Sequence, residues 1–321
     1  MRVDILYTVN SQYKEIMLTS CVSLILNNMD KDIYFHIVTS DFSCLDYEYC
    51  KSVLSKFPSV TCEFYPLDKK YIEKFNIPNW RGSQIANARI FFQDLINLTD
   101  VEKLLYLDAD TIVVSDIKDA FNYSNPINAV LDSCLQKRVD KMNLTNYFNS
   151  GVLLFNVREW MSEKCQDKVI DFREKNPYTK LEFPDQDLLN FALSSYIGKM
   201  NSKYNISPVI LMKEINQLYY KNNIRQLNQE DVNECINNGV IYHAYGLGRV
   251  KPWTNNKINP LTTEFDEYIK YVDENFKKEE LGGVWQILNE NKYLFYMAIM
   301  APNYLPLSLN ATLRKVIKKF K

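Results

Sequence analysis

Leu104-Leu105-Tyr106-Leu107-Asp108-Ala109-Asp110 is a short apolar run that ends abruptly in two carboxylates. A run of that length bounded by charge reads as a strand buried on both faces. On extended backbone, residues two apart point to the same side, so the two acids would face one another. Acids that close repel, and one pKa should rise unless a cation lies between them. A hard divalent cation with oxygen ligands answers that repulsion. A solvated pair capping the strand is the plainer alternative.

Outward from this strand, strand-like and helix-like segments alternate. Residues 3–9, 33–39 and 60–65 read as strands, and 15–28, 45–57 and 84–95 as helices. The β-α-β-α order predicts an α/β fold with a mainly parallel central sheet and helices on both faces. In such sheets, ligands bind beyond the carboxyl ends of the strands. Residues 152–157 and 241–243 read as further strands. Residues 158–175 and 185–195, and the chain from about 264 onward, read as helical. This divides the chain into a domain over 1–262 and a helical C-terminal extension over 263–321. Residues 75–83 have no period and form either a connection or a mobile lid.

Composition narrows the function classes. The 321 residues carry 38 Lys+Arg against 39 Asp+Glu, a formal net charge of −1. Nucleic-acid binding draws its affinity from clustered cations, and the overall balance gives no reason to expect it. The seven cysteines include no C-x-x-C pair, which argues against a zinc ribbon or redox pair. An odd number of scattered thiols fits a reducing compartment. With neither a signal-peptide pattern nor a stretch of about 20 apolar residues, a cytoplasmic protein is expected.

Other residues bear chemistry. His36 sits inside a strand and reads as a hydrogen-bonded structural group. His243 closes a strand and enters a loop with Gly246, Gly248 and then Lys251. Glycine lets backbone approach phosphate closely and lysine supplies a point charge. The imidazole could complete a mixed oxygen and nitrogen shell for Mn²⁺ or Mg²⁺. Asn149-Ser150-Gly151 places two polar side chains where a strand begins. Asp185-Gln186-Asp187 opens a helix, where acids cap and complement the dipole, and Asp187 is expected to do only that. Arg89 lies among apolar neighbours and needs a partner, either a ligand phosphate or hydroxyl or a structural carboxylate.

Taken in order, these segments resemble glycosyltransferase family 8, the retaining GT-A enzymes that include glycogenin and bacterial lipooligosaccharide galactosyltransferases. The resemblance runs over residues 3–253. It rests on Thr8-Val9-Asn10-Ser11-Gln12-Tyr13, Ala86-Asn87-Ala88-Arg89, Tyr106 through Asp110, Phe148 through Asn156, Asp185 through Asn190, and His243 through Trp253. It implies a GT-A type, Rossmann-like fold and a hexosyltransferase that moves galactose or glucose from a UDP-sugar to a glycan or glycolipid acceptor. It implies Mn²⁺ or Mg²⁺ held by Asp108, Asp110 and His243, with Ala109 among the cofactor-binding positions. Thr8, Asn10 and Tyr13 would hold the uracil and ribose, and Lys251 with Gly246 or Gly248 would close on the diphosphate. Arg89, Asn149, Ser150, Asp185 and Gln186 would surround the donor sugar, with Gln186 or Asp185 at the catalytic position and Asp132 near sugar and acceptor.

Two other functions compete. The Asp108-Ala109-Asp110-Thr111 string is similar to the Asp-x-Asp-x-Thr of haloacid-dehalogenase-type phosphatases, but position 112 is Ile and the motif is not on the first strand. A degenerate, inactive scaffold is the other, and the retained Asp108, Asp110, His243 and Lys251 argue against it. The C-terminus adds a separate feature. Leu313, Val316, Ile317 and Phe320 form one apolar stripe, and residues 314–321 carry five cations and no acid. A helix over 311–321 with that division either lies in an anionic headgroup region or packs on the main domain.

Overall fold

The structure is a computed structural model, described here for residues 1–79, 83–133, 136–212, 226–291 and 294–296. Nine strands are described: β1 (Arg2–Asn10), β2 (Asp32–Ser40), β3 (Val60–Pro66), β4 (Lys103–Leu107), β5 (Thr111–Val113), β6 (Ile127–Leu131), β7 (Phe148–Asn156), β8 (Ile197–Lys199) and β9 (Ile241–His243). Seven form one sheet in the order β3-β2-β1-β4-β7-β6-β8, and β5 pairs with β9 in a second, two-stranded sheet. The pairs β1–β2, β1–β4, β2–β3 and β6–β8 are parallel, whereas β7 runs antiparallel to β4 and β6. The expected mainly parallel α/β sheet is therefore present, with one reversed strand near its centre.

That strand decides what reaches the ligand edge. β1 and β4 end there, and because β7 is reversed, its beginning arrives at the same edge. Leu107 stands opposite Val152, and the Asp108 N–H donates to the Gly151 carbonyl at 2.8 Å, one step past the strand's end. β6 also ends on this edge, so Asp132 follows directly from Leu131.

Alternation along the strands separates two cores. Val3, Ile5, Tyr7, Leu105, Leu107, Val152 and Leu154 face one side, packed against the buried helix Lys14–Leu26. Leu6, Leu104, Tyr106, Leu153 and Phe155 face the other, against Ala88, Phe91, Phe92 and Trp160. Helix Thr262–Ile269 contributes Phe265, Tyr268 and Ile269 to the first core. The chain around 281–296 joins a third, smaller cluster through Leu281, Leu288, Phe295 and Tyr296.

Local structure departs from the sequence reading in four places, one of them 270–283, read as helical, which holds turns and coil between helices Thr262–Ile269 and Val284–Glu290. The helix expected over 84–95 is a 3-10 turn, Ile85–Phe91, followed by one α-helical turn, Phe92–Leu95. The helix expected over 158–175 is two, Val157–Ser162 and Cys165–Lys175, broken where Lys164 turns left-handed at φ 53°. The acidic pair leaves extended backbone: the Thr111 N–H and Oγ1 both donate to the Asp108 carbonyl, at 3.1 and 2.9 Å, closing a turn over 108–111. His36 is the structural group expected, with Asp4 at 3.0 Å and the Tyr65 hydroxyl at 3.3 Å. The six described cysteines are all free. The stretch 80–82, which contains much of the supposed lid, and the tail 311–321 lie outside the described residues.

Leu105 is fully buried on the strand that aims Asp108, with β1 and β7 on either side. Leu105→Ala should lower the unfolding free energy by about 2–5 kcal/mol in urea titrations, as buried leucine truncations do. A loss under about 1 kcal/mol would mean the central strand is not the packed element described here.

Candidate active site

Backbone pairing builds the centre of the site. β5 begins directly after Asp110, and β9 pairs with it antiparallel, with Thr111 opposite His243. The Ala244 N–H donates to the Asp110 carbonyl at 2.9 Å. This register carries His243 across more than a hundred residues of sequence to the acidic turn. Its Nε2 stands 3.4 Å from Asp108 Oδ2 and 3.2 Å from Asp110 Oδ1. One ligand atom from each of Asp108, Asp110 and His243 falls within 4.8 Å of the others. Two carboxylates and an imidazole converging from outside a sheet edge are the donor set of a small divalent cation.

Cations meet the remaining carboxylate oxygens. Arg89 lies 2.9 Å from Asp108 Oδ1 and 3.2 Å from Asp185 Oδ2, with its guanidinium 4.4 Å over the Tyr106 ring. Its NH1 also donates to the Ser150 carbonyl at 2.6 Å. The buried arginine thus has carboxylate partners of its own. Lys251 Nζ stands 3.1 Å from Asp110 Oδ2 and also donates to the Ala244 carbonyl.

The titrations follow from these neighbours. Burial opposes ionisation of Asp108, but Arg89 and His243 outweigh it and hold the carboxyl below its ordinary value. Burial likewise opposes charge on Asp110, and Lys251 and His243 hold it far below the usual carboxylate range. Burial would lower the His243 pKa, yet the two carboxylates push it up to about 9. Without another cation, the proton on the imidazole fills that role. Asp185 differs: burial raises its pKa, with Arg89 opposing.

Asp132, Asn149, Ser150, Asp185 and Gln186 gather against this centre. Asp185 Oδ2 accepts from the Ser150 hydroxyl at 2.9 Å, and Gln186 Oε1 accepts from the Ser150 N–H at 3.0 Å. The Asn149 and Gln186 amides both donate to Asp132 Oδ2, at 2.9 and 3.3 Å. Asp187 does more than cap: its Oδ2 accepts from the Glu182 and Phe183 N–H groups, while its Oδ1 meets Arg138 at 2.9 Å and the Tyr147 hydroxyl.

The β1 end contributes a third group. Thr8 Oγ1 is 3.2 Å from the Tyr106 hydroxyl, which donates to Asp108 Oδ1 at 2.6 Å. Tyr13, 38% exposed, stands edge-on to Trp253 with ring centroids 5.9 Å apart, so the β1 end and the segment after Lys251 meet. Asn10 Oδ1 is buried without a hydrogen-bond partner among the described residues. Ala109 packs on the first core. Gly246 and Gly248 both have positive φ, 92° and 62°, which side chains adopt only with strain.

Sequence reasoning passed over two residues here. Tyr106 joins Thr8, Asp108 and Arg89, and its one signal is a polar tip inside an apolar strand. Asn205 binds His243 Nδ1 at 3.0 Å and Asn149 Oδ1 at 2.8 Å, and nothing in its local sequence marks it. Gly151 was quoted in a motif without its reason. A Cβ there would stand 2.0 Å from His243 Cε1 and 2.8 Å from Asp108 Oδ2.

Known proteins share this arrangement of elements. General stress protein A of Bacillus subtilis is 26% identical over 257 residues, covering 77% of this chain and 86% of that protein. A lipopolysaccharide 1,2-glucosyltransferase of Escherichia coli is 26% identical over 315 residues, covering 90% of each. The solved galactosyltransferase LgtC, in complex with donor and acceptor sugar analogs, superposes with a TM-score of 0.69 at 20% identity, covering 83% of this chain and 95% of that one. Residues 4–257 match the sequence model described as Glycosyl transferase family 8, and with four-fifths of its length inside that match the chain belongs to this family.

Proposed function

We propose that this family 8 glycosyltransferase is a metal-dependent, retaining hexosyltransferase that uses a UDP-sugar donor. The observation carrying the reading is the convergence of Asp108, Asp110 and His243 at the strand ends, between the Thr8–Tyr13 segment and the Asn149, Ser150, Asp185 and Gln186 cluster. Two carboxylates and an imidazole suit Mn²⁺ or Mg²⁺. When bound there, the ion supplies charge neutralisation and Lewis acidity to the donor diphosphate.

The chain's own groups do the rest. Asn10 Oδ1 is an unmet acceptor of the kind the uracil N3–H would satisfy. Tyr13 offers a half-exposed ring for stacking. Lys251 is placed to follow the diphosphate charge, with Gly246 or Gly248 allowing close backbone approach. Arg89 lies between Asp108 and Asp185, holding the Asp108 carboxyl below its ordinary value and opposing the rise that burial imposes on Asp185.

Retention needs either a covalent intermediate or attack from the face the leaving group vacates. The Gln186 amide is a poor nucleophile, and one of the two Asp185 carboxylate oxygens is already engaged. The Gln186 amide is tied at Oε1 to Ser150 and at Nε2 to Asp132, and Asp185 Oδ2 is held by Ser150 and Arg89. That supports same-face attack. The acceptor hydroxyl oxygen bonds to the anomeric carbon as the carbon–phosphate oxygen bond breaks, and its proton passes to the departing phosphate oxygen. The kinship with lipopolysaccharide glucosyl- and galactosyltransferases favours glucose or galactose as the sugar and a bacterial surface glycan or glycolipid as acceptor.

A panel of UDP-sugars scored for slow hydrolysis should show turnover of UDP-glucose or UDP-galactose that requires Mn²⁺ or Mg²⁺. Asp110→Asn removes one ligand charge, and Gly151→Ala drives a methyl into the His243 ring. Each should fold, by circular dichroism, and bind Mn²⁺ about 10–100-fold more weakly in calorimetry. Unchanged affinity in both variants would remove the metal centre.

Stereochemistry gives an independent check. An α-linked UDP-sugar should yield an α-linked product by its anomeric proton coupling, and a β-linkage would rule out retention. The basic stripe at 311–321 bears on the acceptor. Deleting it after Asn310 should shift the protein from sedimented anionic liposomes to the supernatant at low salt, with transfer to a soluble acceptor unchanged. Full-length protein that never sediments would dispose of membrane attachment.

A further inference from the structure

Four buried side chains form an unbroken line from the sugar side of the site to the imidazole. Asp132, Asn149, Asn205 and His243 are 8%, 6%, 2% and 4% exposed. Each link has a direction that its neighbour dictates. Asn149 Nδ2 donates to Asp132 Oδ2 at 2.9 Å, so the amide nitrogen faces the carboxyl group. Asn149 must therefore turn its oxygen the other way. There the Gly151 N–H, a donor that cannot reverse, reaches it at 2.9 Å, and Asn205 Nδ2 reaches it at 2.8 Å. With its nitrogen committed, Asn205 presents Oδ1 to His243 Nδ1 at 3.0 Å. That oxygen can only accept, so Nδ1 carries a hydrogen. Nε2 is left as the nitrogen aimed at Asp108 and Asp110.

Backbone bonds hold Asn205 in place. The Ile206 N–H donates to the Ile241 carbonyl and the His243 N–H to the Ile206 carbonyl, both at 2.9 Å, clamping the 205–206 segment beside β9. Asn205 thus travels with the strand that delivers the histidine.

We infer that Asn205 is a positioning residue: it fixes the ring orientation and the Nδ1–H tautomer of His243 so that Nε2 is the ligating atom, and it joins that ligand through Asn149 to the Asp132 carboxylate on the sugar side. The inference rests on the reading of Asp108, Asp110 and His243 as metal ligands. Groups that hold a ligating imidazole by its second nitrogen are worth about 10–100-fold in metal affinity. A residue acting only through general packing would not distinguish an acceptor at this position from an apolar group of similar size.

Two measurements on the full-length protein separate the possibilities. Manganese titrated calorimetrically should bind Asn205→Leu about 10–100-fold more weakly than wild type. Asn205→Asp, which keeps an acceptor for Nδ1 but loses the donor to Asn149 Oδ1, should bind Mn²⁺ more tightly than Asn205→Leu. Asn205→Ala replaces the leucine variant if that one does not fold. The second readout needs no metal and reports the Nδ1–H hydrogen bond to Asn205, which the protonated ring of the metal-free protein also makes. The chain has only two histidines, so ¹⁵N-histidine NMR can assign both rings. A hydrogen-bonded, slowly exchanging Nδ1–H of His243 should be present in wild type and Asn205→Asp and lost in Asn205→Leu. Wild-type protein that takes up no Mn²⁺ overturns the metal reading, and the ring signal then judges the role of Asn205 alone. Survival of that signal in Asn205→Leu, or wild-type Mn²⁺ affinity in that variant, overturns the inference.

Discussion

Two carboxylates two residues apart, at the end of a strand buried on both faces, set the terms for everything around them. Asp108 and Asp110 cannot both stay ionised in that setting without cations, because burial and mutual repulsion each favour the neutral acid. The chain supplies three: Arg89 on the outer oxygen of Asp108, Lys251 on that of Asp110, and His243 between the inner oxygens. The outer cations are permanent and come from different parts of the fold. The inner one is a proton on an imidazole, which a metal can replace.

The geometry depends on three elements meeting at one edge. β4 delivers the first acid, β5 pairing with β9 delivers the histidine, and the reversed β7 delivers Gly151 between them. The absent side chain at Gly151 is as much a part of the site as the side chains present. Its backbone carbonyl receives the Asp108 N–H, and the space over its Cα is taken by the His243 ring. Strand direction, register and a missing Cβ together fix an arrangement that hydrogen bonds between side chains then refine.

What the sequence disclosed, and what it withheld, follows from the range of each interaction. The buried strand ending in Asp108 and Asp110 was legible because composition changes abruptly at one point. So were His243 and its glycine loop, and the alternation of the first strands and helices. The direction of β7 was not, since a continuous apolar run looks the same in either sense. The three-residue strands β5 and β8 were too short to show a period. The 3-10 turn at Ile85–Phe91 was read as a helix because its apolar residues satisfy either spacing. Tyr106 bonds Thr8 across 98 residues and Asn205 bonds Asn149 across 56, and no local pattern encodes such a pair.

The loop after His243 shows how a distant segment can set the behaviour of the site. Gly248 is left-handed, and a Cβ on it would stand 2.3 Å from the Trp285 ring. Trp285 belongs to the segment beyond residue 263, and it packs with Val209, Met212, Leu247, Val250, Leu281 and Leu288 behind the loop. Two constraints therefore coincide at Gly248: the turn needs a residue free at positive φ, and the ring needs a residue without a side chain. Lys251, three positions on, reaches back to Asp110 from the same loop. Lys251 reaches toward the acidic pair, while the back of the loop at Leu247, Gly248 and Val250 is held by apolar packing. Leu247 and Val250 cluster with Leu281, Leu288 and Phe295, so the backbone from which Lys251 extends rests on that packing. The Lys251 cation beside Asp110 is thus supported from behind by hydrophobic contact as well as by its own ion pair.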